Sequence, residues 1–204
     1  MLALIMAGGE GSRLNLGEKP LVPVGGQPMI ARVIDAFRSS GCEVVVVTSP
    51  RTPMTRNWCR VEALDIITAA GTGYIEDMVS AVTLLGETGA LFVSACDLPC
   101  LNDGIIRKVI GQYRNAGKDA CSVWVPISLF RSPRDIQYTG KVDGTDACPA
   151  GLNILRGDLI GGLQEEFRLL LKEPRLAYNI NTRGDLDHIN ALFNRSRSRA
   201  SSPV

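Results

Sequence analysis

The sequence predicts an α/β domain built on a mostly parallel sheet with helices on both faces. Three observations predict it: short apolar runs of strand length, segments of helical period between them, and a glycine-rich loop directly after the first run. Residues 2–6 (LALIM) are too few for a helix and lead straight into glycines, so they read as a buried parallel strand. Similar runs recur at 44–48, 66–68, 90–95 and 122–125. Between them Met29, Val33 and Phe37 form one apolar stripe. Ile75, Met78, Val82 and Leu85 form a second, and Ile105, Ile106, Val109 and Tyr113 a third. Strands alternating with helices call for right-handed crossovers and a sheet covered on both faces.

After Pro126 the alternation breaks. ISLFRSPRDIQYTGKVDGTDACPAG is rich in Gly, Pro, Ser and Asp without a clear period, and a loop of that length is more often functional than inert. Order returns with LNIL, then a helical stretch through Leu171 and a last helix over 185–193. The segment RSRSRASSPV has no apolar period, so the expectation is one folded domain over 1–194 and a disordered basic tail over 195–204.

Composition narrows the function classes. With 204 residues and 45% hydrophobic side chains, a single domain has enough apolar material for a core. Lys plus Arg at 22 against Asp plus Glu at 21 argues against a basic coat for nucleic acid, and 5% aromatics argues against a stacking platform for single strands. The single histidine, His188, argues against imidazole-based triads and most catalytic zinc sites, and is read as structural. No apolar run approaches the ~18–20 residues that span a bilayer, and MLALIMAGGEGSR lacks the pattern of a secretory leader, so a cytoplasmic protein without membrane insertion is expected. The six cysteines form no C-x-x-C pair and are expected reduced, as small buried hydrophobes. A homodimer is admitted, since no exposed apolar stripe stands apart from the core.

The strongest local feature is AGGEGSRL at 7–14, followed by EKPL at 18–21. Glycines at 8, 9 and 11 after a first strand let successive backbone N–H groups approach phosphate oxygens. Two familiar loops fail on spacing: a Walker A loop closes on Gly-Lys-Ser/Thr, whereas Arg13 follows Gly11-Ser12 here, and Leu14 stands where the dinucleotide fingerprint has its third small residue. In their place stand two cations, Arg13 and Lys19. A guanidinium fork and an ammonium point charge suit the β and γ phosphates of a nucleoside triphosphate, which leave as pyrophosphate when the α phosphorus is attacked. Ala7, Gly8, Gly9, Gly11, Ser12, Arg13 and Lys19 are therefore candidate nucleotide-binding residues.

AGGEGSRL with EKPL resembles the signature of nucleotidyltransferases with a GT-A-like Rossmann variant, a superfamily that includes sugar-phosphate and molybdopterin nucleotidyltransferases. Four further stretches, TSPRTPMT at 48–55, GTGYIEDM at 71–78, PAGLNIL at 149–155 and NINTRGDL at 179–186, are similar to the archaeal GTP:adenosylcobinamide-phosphate guanylyltransferases. The resemblance implies a single Rossmann-like domain that transfers GMP from GTP to a phosphorylated corrinoid in cobamide biosynthesis or salvage, releasing pyrophosphate. It also implies that Asp97 of SACDLP is the metal carboxylate and that Ala150, Gly151 and Asn153 border the acceptor.

The residues themselves fit that scheme. Asp97 ends an apolar strand, where ligands gather in an α/β sheet, and its oxygen suits Mg²⁺. Asn181 is the candidate second metal ligand, with Asn179 the alternative; either also reads as a turn or capping residue. Guanine presents donors, so carboxylate or backbone-carbonyl acceptors are needed: Gly71 and Gly73 allow close backbone approach to the base and are the preferred candidates, and Asp77 and Glu76 are the others, although first-turn acids also suit a helix dipole. Thr48 and Ser49 follow the second strand near the expected base, or cap the next segment. Trp124 and Phe130 are either acceptor surface or core. A phosphate-monoester nucleophile has a second pKa near ~6 and needs no general base, which agrees with the scarcity of histidine. Arg13, Lys19 and Asp97 are the candidate catalytic residues. Other readings keep the same donor half with molybdopterin or a sugar phosphate as acceptor, or treat the chain as a GTP-binding regulatory domain. A glycosyltransferase normally carries D-x-D, and SACDLP offers one Asp.

Overall fold

The computed structural model describes residues 1–9, 11, 14, 16–130 and 138–200, with 196–200 as helical backbone only. In chain order the elements are β1 (Leu2–Met6), the short hairpin strands β2 (Pro23–Val24) and β3 (Gln27–Pro28), α1 (Met29–Ser39), β4 (Glu43–Thr48), α2 (Pro53–Val61), β5 (Asp65–Thr68) and α3 (Tyr74–Leu85). There follow β6 (Ala90–Ala95), α4 (Asp103–Ala116), β7 (Ala120–Pro126), β8 (Gly140–Val142), β9 (Thr145–Arg156), β10 (Glu166–Leu170) and α5 (Arg183–Ala200).

The main sheet runs β10-β7-β9-β6-β1-β4-β5, with β8 added to β9. β1 pairs in parallel with β4 and β6, β4 with β5, and β7 with β10, while β9 lies antiparallel between β6 and β7. The period-2 alternation of the central strands produces two cores. Ala3, Ile5, Val44, Val46 and Phe92 face α1 and α4, where Phe37 meets Phe92 edge-on at 5.2 Å. Leu4, Met6, Val45, Val47, Leu91 and Val93 face Met78, Ala81 and Val82 of α3 on the other side. A third cluster of Leu14, Val22, Val24, Met29, Ile180 and Ile189 fastens α5 onto the β2–β3 hairpin.

Four differences from the sequence expectation have physical reasons. α2 buries only Thr55 and Cys59, a stripe too thin to register as a helical period. The irregular stretch after Pro126 contains the β8–β9 hairpin, whose turn at Asp143 (φ 47°) and Gly144 (φ 73°) is the Asp-Gly chemistry of a two-residue hairpin loop. The expected helix through Leu171 is instead the strand β10, because pairing with β7 overrides local preference once Gly157, Gly161 and Gly162 interrupt any helix. Finally, α5 does not stop at Phe193 but runs on to Ala200, so the expected disordered tail begins as helix. Propagation is easy through Arg and Ala once a helix is nucleated, and 201–204 lie outside the described residues.

Candidate active site

The carboxyl ends of β1, β4, β5 and β6 deliver four loops to one end of the sheet, which is where an open α/β sheet binds ligands. Each contributes a residue singled out in the sequence.

At the centre is Lys19, in a single 3₁₀ turn over Lys19–Leu21. Its ammonium donates to Asp97 Oδ2 at 2.7 Å and to Asn181 Oδ1 at 3.0 Å, joining residues 78 and 162 positions apart. Side-chain exposure of 13% for Lys19 and 23% for Asp97 makes this a shielded pair. An ammonium has three donors; two are committed here, and the third is the one an anionic ligand would use. Asn181 is the asparagine that reaches the cluster. Its own N–H donates to Asp185 Oδ2 at 3.1 Å, as does the Thr182 N–H at 2.9 Å, while the Asp185 N–H returns a bond to Thr182 Oγ1 at 3.2 Å. This reciprocal cap opens α5 and holds Asn181 in place.

The glycine loop divides by role. Gly11 has φ +62°, in the left-handed region, and a Cβ there would collide with the Lys19 side chain; only glycine lets Lys19 pass. Gly8 and Gly71 both lie against Ser49, with ideal Cβ contacts of 3.2 and 3.4 Å, and Ser49 Oγ donates to Gly8 O at 2.7 Å. Ser49 is thus the post where the β1, β4 and β5 loops meet. Gly9 differs: a Cβ there meets nothing within 4 Å, so the described protein offers no packing reason for glycine. Ala7 is buried, its N–H bonded to Val47 O at 2.8 Å. Ser12 and Arg13 lie outside the described residues.

Other expected residues are placed as follows. Thr48 is fully buried and its hydroxyl donates to Ile67 O at 3.3 Å, within the β4–β5 pair and away from the loop junction that Ser49 occupies. Asp77 accepts from Gly71 N–H at 2.9 Å and Thr72 N–H at 3.3 Å, so its carboxylate organises the loop before α3. Gly73 is extended, and a Cβ there would strike the Glu76 carboxylate. Gly151 has φ +73°, and a Cβ built there would stand 3.1 Å from Ala95 Cβ; Asn153 sits on β9 between Val93 and Ser122, so both lie beside β6, the strand that leads to Asp97. Trp124 is core: it is buried, donates to Ser122 Oγ at 2.7 Å and lies 5.9 Å from the Tyr138 ring. Phe130 packs against the main core, and His188 meets Tyr178 edge-on at 5.9 Å.

Sequence reasoning missed Glu18. Its carboxylate accepts from Met54 N–H at 2.7 Å, Thr55 N–H at 2.6 Å and Thr55 Oγ1 at 2.6 Å, capping α2 from 36 and 37 residues away. The signal was present in EKPL and TSPRTPMT, an acid beside a lysine and a Thr-Pro helix start, but nothing local links the two.

Electrostatically the site keeps its neighbouring thiol neutral. Burial, then the Asp97 charge, raises the Cys96 thiol to about 12. The Asp97 and Asn181 oxygens are hard donors converging on one cationic nitrogen, and this pair fits a divalent cation that retains water and phosphate ligands. Among the described residues no group of three or more His, Cys, Asp or Glu forms a protein-only metal cage.

A family model described as a MobA-like NTP transferase domain matches residues 3–132. The chain is 31% identical over 197 residues to the adenosylcobinamide-phosphate guanylyltransferase of Methanocaldococcus jannaschii, covering 91% of this chain and 94% of that protein. It is 29% identical over 210 residues to a molybdenum cofactor guanylyltransferase of Desulfosudis oleivorans, covering 95% and 96% respectively. Among solved structures, molybdopterin-guanine dinucleotide biosynthesis protein A of Archaeoglobus fulgidus shares the fold, with a TM-score of 0.67 at 18% identity, over 96% of this chain and all of that one.

Proposed function

The chain belongs to the MobA-like NTP transferase family, and on that premise we propose that it transfers GMP from GTP to adenosylcobinamide phosphate, giving adenosylcobinamide-GDP and pyrophosphate. The observation that carries the reading is the convergence of Lys19, Asp97 and Asn181 beside a glycine loop whose Gly9 is left open. The 31% identity to the Methanocaldococcus jannaschii enzyme, against 29% to the molybdenum cofactor guanylyltransferase, supports the corrinoid acceptor over molybdopterin.

In this reading the acceptor's phosphate oxygen attacks the α phosphorus in line, and the bond to the bridging oxygen breaks as pyrophosphate leaves. A phosphate monoester is largely dianionic at pH 7, so no base on the protein is required. The barrier is repulsion among anions and misalignment. Lys19 and the backbone N–H groups of the glycine loop would lower the first, and Arg13, which follows that loop in the sequence, is assigned the same task. Ser49, Gly8 and Gly71 lock the loops that would seat the base, and Asp77 keeps the Gly71–Thr72 N–H groups fixed. Mg²⁺ held by Asp97 and Asn181 would screen phosphate charge when bound. No described helix is long and apolar enough to cross a membrane.

Purified protein is assayed for pyrophosphate release with GTP and adenosylcobinamide phosphate, beside molybdopterin and sugar phosphates. Turnover confined to the corrinoid acceptor supports the assignment; turnover only with another acceptor overturns it. Calorimetric titration with GTP and ATP, with and without Mg²⁺, tests the donor, and equal affinities would refute guanine selection.

A further inference from the structure

We propose that Glu18 is a positioning residue for nucleotidyl transfer: its carboxylate, seated on the N-terminus of α2, fixes the turn that aims Lys19 at Asp97 and Asn181. This rests on the function proposed above and deepens it. The first N–H groups of a helix lack partners within the helix and attract anions. In this protein the anion is supplied from inside the chain, since the Met54 and Thr55 N–H groups and the Thr55 hydroxyl all donate to Glu18. The α2 terminus is therefore a clamp on the protein's own loop and is closed to substrate phosphate.

The same residue is held at its backbone. Leu21 N–H donates to Glu18 O at 3.0 Å, closing the 3₁₀ turn, and Val22 N–H donates to Lys19 O at 3.2 Å. Side chain and carbonyl of Glu18 together determine where the next Cα goes, and that Cα carries Lys19. On its other side Lys19 passes over Gly11, so its aim is set by one clamp and one gap. The clamp also joins the two halves of the donor site. α2 follows directly from the loop that begins at Ser49, the post for the β1 and β5 loops, so one carboxylate ties the base-side loop to the phosphate-side lysine.

The test is a set of variants read in kcat, KM for GTP and thermal midpoint. Glu18→Ala is expected to lower kcat about 10- to 100-fold, the size of effect that a misplacement of about 1 Å produces, with a smaller change in the KM for GTP. Thr55→Ser keeps all three bonds and is expected within about twofold of the parent, while Thr55→Val, which loses one, falls between. The decisive measurement is Glu18→Ala in a Lys19→Ala background. If Glu18 acts through Lys19, the second change costs less than about twofold more in kcat. Multiplying losses, or an unchanged kcat with a lowered midpoint, would overturn the proposal. Should Glu18→Ala fail to fold, the same cycle is run with Thr55→Val. If the parent protein releases no pyrophosphate with any acceptor, the function itself has failed; the cycle is then read in GTP dissociation constants, where additive effects would overturn the positioning role separately.

Discussion

Lys19 is a cation whose charge is already spoken for by Asp97, and its usefulness lies in being aimed. Removing it leaves Asp97 with no ammonium and the phosphates with one fewer donor. Lys19→Ala is expected to reduce kcat/KM by about a hundredfold or more, comparable to the loss of a preorganised donor, measured as pyrophosphate release at saturating acceptor. The glycines separate at this scale. Gly9→Ala meets no protein atom, so its thermal midpoint should stay near that of the parent, within about 0.5 kcal/mol in stability, while GTP affinity falls if backbone there approaches the nucleotide. Gly11→Ala is expected to lose both stability and activity, because the left-handed φ and the Lys19 side chain oppose a Cβ together. Calorimetry with GTP on both variants separates a ligand-facing glycine from a packing one. The candidates Lys19 and Asp97 were legible from motif and strand end; Glu18 was not, because its partners lie on another element.

α5 shows how an element serves the site from a distance. Its reciprocal cap between Thr182 and Asp185 ends in the bond that orients Asn181, and its apolar face holds Leu14 and the β2–β3 hairpin. Thr182→Ala is expected to destabilise the protein by about 1 kcal/mol, the usual cost of an N-cap, and to lower activity further than the melting shift alone explains. An unchanged kcat with a lower midpoint would limit the cap to stability. The elements themselves differ in legibility for a physical reason. Strands 2–6 and 90–95 coincide with β1 and β6 because both are buried on two faces and nearly all apolar. β10 alternates weakly at the sheet edge and α2 hides only Thr55 and Cys59, so neither leaves a clean period. The β8–β9 hairpin announced itself in Val-Asp-Gly-Thr, a turn signal inside a stretch that composition alone reads as irregular.

Across the whole molecule, packing buries five of the six cysteines along with the aliphatic side chains and half-buries Cys100 against the α5 cluster. Burial raises the Cys96 and Cys121 thiols to about 12 and those of Cys59, Cys100 and Cys148 to about 11, against a usual 9.0. These groups stay protonated in the folded state after they ionise in the unfolded one. Their contribution to stability is complete below pH 9 and is lost as pH rises from 9 through 11 to 12. A thermal midpoint flat in this respect from pH 7 to 8.5 and falling above 9 is expected, and Cys121→Ala should flatten the fall; a midpoint rising above pH 9 would contradict it. All six cysteines are free thiols.

By itself the sequence determined the alternation from β1 through α1, β4, β5, α3, β6 and α4 to β7, the glycine loop, the lysine that follows it and the carboxylate just past the end of β6. Those are local facts: hydrophobic period, glycine spacing and the residue type at a strand end. Only the tertiary structure decided that Lys19, Asp97 and Asn181 meet, that Glu18 closes the N-terminus of α2, and that β9 runs antiparallel through the sheet. Such contacts join residues tens to more than a hundred positions apart, and they form because burying both faces of one sheet and the inner face of α5 brings those chain segments together. No periodicity along the chain encodes that distance.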